Sequence, residues 1–261
     1  MNESFCVYGL KTRVIGVNDD LASECITAAM AIGGFEDGDI LVIAENAVAT
    51  AEGNIVVLKD ITPSQEARSL AERYSMDAGV VEAVLRESDE VVGGIRGFLL
   101  CMKNGTLLPN AGIDGSNAPP GTLVKLPENS DASACAIRRT LKERTGASVA
   151  VIIADSRTHA MRLGCSGVAI GCSGIEAVLD DRGRPDLFGR ALEVTKRAVA
   201  DNIASAAELV MGEADECIPA AVIRGLGLPL TEGVGIESIE PSECLFMGVA
   251  LHGNPSLFNR Q

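Results

Sequence analysis

Tryptophan is missing from this 261-residue chain and aromatics reach only 3%, so whatever core the chain builds must be aliphatic. Basic residues are in deficit, 22 Lys and Arg against 36 Asp and Glu, and the resulting charge of -14 repels phosphate backbones and anionic lipid. Nucleic acid and membrane surfaces are therefore excluded as expected partners. Histidine is almost absent, with His159 and His252, and the eight cysteines never form a Cys-x-x-Cys pair. A zinc site and a disulfide framework are both excluded on that ground, and the cysteines read as unpaired, mostly buried small hydrophobes. His252 reads as a surface residue. No uncharged apolar run approaches the roughly 18 residues that a membrane span needs, and no basic segment followed by an apolar stretch opens the sequence. A soluble protein of the reducing cytoplasm is expected. There is no Gly-Lys-Ser/Thr phosphate loop, and the glycines of residues 167–174 have the wrong spacing for a dinucleotide fingerprint. No fixed-period repeat or linker composition divides the chain, so two lobes, if present, must be interwoven.

What is present reads as a mixed α/β protein. Asp37-Gly38-Asp39 turns into the apolar run 40–44, a buried strand whose C-terminal edge delivers Glu45 and Asn46. Thr62-Pro63-Ser64-Gln65 predicts a helix start with Thr62 as cap, running to about Tyr74, and Asp77 caps a second helix. Asn104-Gly105 between two apolar runs predicts a tight hairpin. Its second strand leads into residues 110–117, small and polar, which suit a cleft rather than a core. Asp131 is expected to cap a helix ending near Gly146, and residues 148–154 to form a strand that stops at Asp155-Ser156. Leu192, Val199, Ile203, Ala206 and Val210 recur at helical spacing and predict a long amphipathic helix that stops at Met211-Gly212-Glu213.

Three carboxylates, Asp114, Asp155 and Glu213, thus fall at element ends beside small residues. Oxygen ligands suit Mg²⁺ or Mn²⁺. Taken singly, each reads equally as a turn former, a strand-end cap or a surface charge.

The segments Asn110-Ala-Gly-Ile-Asp-Gly-Ser-Asn117, Val151-Ile-Ile-Ala-Asp-Ser156, Val168-Ala-Ile-Gly171, Asp186-Leu-Phe-Gly-Arg190 and Glu208-Leu-Val-Met-Gly-Glu213 resemble the coenzyme F420 γ-glutamyl ligase family. With Ala51-Glu52-Gly53 and the 82–88 stretch, the resemblance runs in order across residues 7–226. It implies a two-lobed α/β homodimer, with residues 1–226 as the family domain and 227–261 as a divergent segment packed on it. It also implies GTP and Mg²⁺ or Mn²⁺, with K⁺ as a further candidate, in a reaction that joins L-glutamate to a deazaflavin precursor through a γ-linked amide. By position Asp114, Asp155, Ser156 and Glu213 resemble the metal ligands. Glu45, Asn46, Asn117, Arg157, Arg162, Met211 and Gly212 fall in nucleotide-contacting segments. Thr50 stands where the family has a lysine, and Arg157-Thr158-His159 replaces its Gly-Arg loop. These departures keep two alternatives open: a diverged paralogue acting on a different substrate, and a homologue that binds without catalysis.

Overall fold

The apolar run at residues 40–44 lies in the middle of a five-stranded sheet. The computed structural model describes residues 4–252, with side chains through 248. Element order begins β1 (Cys6–Leu10), α1 (Leu21–Ala29), β2 (Ile40–Ala44), α2 (Glu45–Ala51), β3 (Ile55–Val57), α3 (Gln65–Tyr74) and α4 (Ala78–Glu87). It continues β4 (Glu90–Ile95), β5 (Phe98–Lys103), β6 (Thr106–Pro109), β7 (Thr122–Val124), α5 (Ser130–Thr145), β8 (Ala150–Thr158) and β9 (Cys165–Ser173). The last elements are β10 (Val178–Asp180), β11 (Lys196–Ala198), α6 (Val199–Met211), β12 (Ala220–Arg224) and α7 (Leu245–His252). The described residues form two compact units, 4–56 with 114–236 and 57–113 with 237–252, each discontinuous in sequence. The class is mixed α/β, as the sequence predicts.

In the larger unit the sheet order is β1-β12-β2-β8-β9, with β2 and β8 parallel and the other pairs antiparallel. Ile40 and Val42 turn to one face, where they join Val199, Ile203 and Ala207 of α6. Leu41 and Ile43 turn to the other, where they meet Leu21, Cys25 and Leu141 from α1 and α5. A strand covered on both faces has no polar side to show, which is why the run reads as continuously apolar rather than alternating. Each of these fully buried branched side chains contributes about 1.5–3 kcal/mol of hydrophobic stabilisation.

Strand β9 carries a register shift opposite Ile153 and Ala154, whose partners are Gly171 and Ala169. The extra residue, Ile170, reverses the facing of everything beyond it. Gly167 therefore lies against α6, where a Cβ would stand 2.5 Å from the Ala204 carbonyl carbon, while Gly171 lies against α5, with a Cβ 2.5 Å from that of Ser130. Both glycines are required by close approach of backbone to backbone.

Several local expectations are corrected. The cap of α3 is Ser64, not Thr62: its side chain accepts from Ala67 N, and Glu82 rather than Gln65 closes the box by accepting from Ser64 N at 2.8 Å. Helix α5 is capped by Asn129, which frees Asp131 to accept from Cys172 N at 2.9 Å and so to tie α5 to β9. Helix α6 starts at Val199, because Leu192 belongs to an arm between β10 and β11 whose backbone pairs Leu192 N with Arg184 O. Asp181, 7% exposed, anchors that arm by holding both Arg184 and Arg197. Strand β8 does not stop at Asp155 but runs on to Thr158, paired with β9. Of the cysteines, Cys25, Cys101 and Cys172 are buried, but Cys6, Cys135, Cys165 and Cys217 are exposed on solvent-facing positions. The side chain of His252 lies outside the described residues.

In the smaller unit β4, β5 and β6 form an antiparallel sheet beside the paired helices α3 and α4. Asn104 and Gly105 take positive φ, 50° and 71°, at the predicted hairpin, and Asp77 caps α4 as expected.

Candidate functional site

Parallel pairing of β2 with β8 sets the site. Its last register pair is Ala44 with Ala154, so Glu45, the first residue past the C-terminal end of β2, stands beside Asp155, which is still within β8. Ligands commonly bind at this end in sheets with parallel strands. Asp155 continues in the ladder opposite Val168, just past the bulge that terminates regular register. Asp114 is brought to the same edge by a two-way bridge with Val124: its N–H donates to Val124 O at 3.0 Å, and its carbonyl accepts from Val124 N at 2.8 Å. Ser116 then donates to the Asp114 carboxylate from both its N–H, at 3.0 Å, and its hydroxyl, at 3.1 Å. Asn46 fixes this turn against α2 by donating to Ser116 O at 3.0 Å.

The carboxylates feel one another. Burial pushes the Glu45 carboxyl up to about 8, and the charges of Asp155 and then Asp114 add to the rise. Burial raises Asp155 as well, with Arg157 opposing the rise and Asp114 adding to it. Glu208, on the last turns of α6, is pushed up to about 7 by burial, then by Glu213 and Asp155. Five acids thus share one field along the edge of the sheet. Like charges held together against their repulsion, all with oxygen donors, match the donor chemistry of a hard divalent cation. Among the described residues no three acidic, histidine or cysteine side chains stand together closely enough to hold one. Asp155 is itself engaged, its Oδ2 accepting from Arg157 Nε at 2.7 Å.

A scan of family models matches residues 9–225 to F420-0:Gamma-glutamyl ligase. A Coenzyme F420:L-glutamate ligase from Methanothermobacter thermautotrophicus is 47% identical over 215 residues, covering 81% of this chain and 85% of that protein. Proteins of the same name from Methanopyrus kandleri and Archaeoglobus fulgidus are 46% and 45% identical, over 82% and 87% of this chain and 84% and 88% of their own lengths. The chain belongs to the F420-0:γ-glutamyl ligase family.

Within this family member, the candidate residues divide between the two faces of the sheet. Residues of β8 alternate, Ile152 and Ala154 packing with α6 while Val151 and Ile153 pack with α1 and α5. The same alternation assigns Asp155 and Arg157 to the face of α5 and Ser156 to the face of α6. Asp114, Asp155 and Glu45 form one group, and Ser156 lies on the side of Glu208 and of Glu213, which is exposed just past the helix end. Gly212 ends α6 at φ 73° with ψ -177°, an extended positive-φ conformation that suits glycine, and Glu213 follows it. Met211 buries its side chain in the core, 6% exposed, and offers only backbone to a ligand. Asn117 is exposed at φ 54° in the turn after Asp114, and Arg162 is exposed in a turn closed by its own N–H to His159 O. Arg13 is taken up by Asp19 and Glu24.

Glu208 is the residue that sequence reasoning passed over as one letter of a motif. A signal was available: the last turn of α6 carries an acid and no basic residue, against the preference of a helix C-terminus for positive charge.

Proposed function

We propose that this enzyme joins L-glutamate to the deazaflavin precursor of coenzyme F420 through a γ-linked amide, using GTP and Mg²⁺ or Mn²⁺. The activity is that named for its relatives; the observation that supports it in this chain is the shared field of Glu45, Asp114 and Asp155 where β2 ends beside β8. A carboxylate is a poor electrophile toward an amine, so it must first become an acyl phosphate. Divalent cations, when bound, would offset the charge of the transferring phosphoryl group and align it. Asp114 and Asp155 would hold one such ion and Ser156 with Glu213 a second, since the strand alternation separates the two pairs. The protein's own contribution is positioning. Asn46 and Ser116 fix the orientation of Asp114, and the β9 bulge fixes that of Asp155. The homodimer implied by the family is favoured by exposed apolar side chains, Leu187 and Phe188 at the tip of the arm between β10 and β11 and Met161 and Leu163 in the β8–β9 turn.

The test is mass spectrometry of F420-0 incubated with L-glutamate, GTP and Mn²⁺. One glutamyl unit is expected on the product, and none with the Asp155→Ala or Asp114→Ala variant. Calorimetric titration of the same variants with Mn²⁺ should show binding lost while circular dichroism shows the fold kept. A second reading, a paralogue that ligates a different acid and amine or only hydrolyses a phosphorylated compound, is favoured by Thr50 in place of the family's lysine. Phosphate release without dependence on glutamate would decide for it.

A further inference from the structure

Arg157 and Asp155 are two apart on one strand and so share a face, with side chains 13% and 16% exposed. Their contact is a single charge-assisted bond from Nε to Oδ2 at 2.7 Å. Arg157 is the cation in direct contact with Asp155, both being partly buried. The tether is short, so the guanidinium cannot diffuse away from the carboxylate, yet one bond rather than a two-pronged fork leaves it displaceable.

We propose that Arg157 is a tethered counter-ion that competes with a divalent cation for Asp155, and that its displacement places it beside the anion arriving with the metal. This rests on the reading of Asp155 as a metal ligand. Cation and nucleotide binding are then coupled through one side chain. A metal ion alone must evict Arg157 into a site with no anion to receive it, whereas a metal ion with a nucleotide supplies phosphate oxygens for the same guanidinium. By linkage the preference is reciprocal. The residue works by position and charge and touches no reacting atom in this role.

The test titrates Mn²⁺, alone and with saturating GDP, into chelator-stripped protein carrying Arg157→Gln, Arg157→Met, Arg157→Lys or Asp155→Ala, with folding checked by circular dichroism. Loss of the cation in the Gln or Met variant, either of which suffices, should tighten Mn²⁺ alone by about tenfold, the order of one close charge pair after solvent offsets most of it. It should also shrink the gain in Mn²⁺ affinity that GDP gives. Arg157→Lys should stay near wild type. A side chain that merely supports the strand would give the opposite sign, weaker Mn²⁺ binding in the Gln and Met variants. Unchanged or weaker binding there, with binding abolished by Asp155→Ala, overturns the competition and spares the metal site. Unchanged binding in Asp155→Ala removes the metal site itself, and the proposal with it.

Discussion

At the scale of the residue, burial acts on acids and thiols in the same direction, and the thiols give the cleaner test because they stand away from the site. Burial pushes Cys25 up to about 12, with Glu24 adding to it, and Cys172 up to about 11, with Asp131 and Glu176 adding. An unfolded thiol titrates near 8.5. Each folded value is higher, so both contribute stability that is fully present below about pH 8.5 and is lost as pH climbs toward 11 and 12. The loss is about 1.4 kcal/mol per pH unit for each thiol in that window. Urea unfolding at pH 8 and pH 10 should show it, and Cys25→Ala should lessen the slope while lowering stability at pH 8. An unchanged slope would mean that Cys25 ionises in the fold as readily as outside it. All eight cysteines are free thiols, so alkylation after unfolding without reductant should add eight labels. The absence of framework spacing in the sequence was sufficient for that conclusion. The exposure of Cys6, Cys135, Cys165 and Cys217 was not legible, because a small cysteine side chain suits a buried or an open position and carries no mark of which it will take.

At the scale of the element, β9 decides more than its sequence announces. Gly167 and Gly171 read as part of a glycine-rich run without a nucleotide pattern. Their actual task is to let α6 and α5 approach on opposite faces of one strand, which the bulge at Ile170 makes possible. Gly167→Ala places a methyl group 2.5 Å from the Ala204 carbonyl carbon, where neither backbone can yield locally. A loss of about 1–3 kcal/mol is expected in chemical denaturation. Gly93→Ala, with nothing within 4 Å of the added carbon, should lose far less. Equal losses would point to glycine flexibility rather than packing. Caps were read less well than elements: Asp77 was found, but Ser64 and Asn129 took the places given to Thr62 and Asp131. A cap depends on where the chain enters the helix, and several neighbouring polar residues can satisfy the same orphan N–H groups.

At the scale of the molecule, the proposed homodimer is tested at the arm between β10 and β11. Leu187 and Phe188 are 99% and 83% exposed at its tip, while Asp181 with Arg184 and Arg197 holds its base firmly. An anchored arm with an apolar tip fits a homodimer in which each copy covers the other's. Light scattering on a sizing column should give a dimer mass for the wild type, and a monomer mass for Leu187→Asp combined with Phe188→Asp. A monomeric wild type, or a variant that stays dimeric, would remove the arm from the interface.

Sequence by itself determined the class of fold, the aliphatic core, the buried strand at residues 40–44, the hairpin at Asn104-Gly105 and the family, because each rests on local pattern or on ordered motifs. Through the family resemblance it also offered Asp114 and Asp155 as candidates for one site, although nothing in their spacing, 41 positions apart, brings them there. Tertiary structure alone decided how they meet. The parallel register of β2 and β8 sets Glu45 beside Asp155, and the bridge to Val124 swings Asp114 to the same edge. Only there do burial and like charge become large enough to raise Glu45 to about 8 and to reveal Glu208 as a fifth member. The physical reason is that Coulomb and desolvation effects depend on distance and burial in space, and neither is written in the order of residues along a chain.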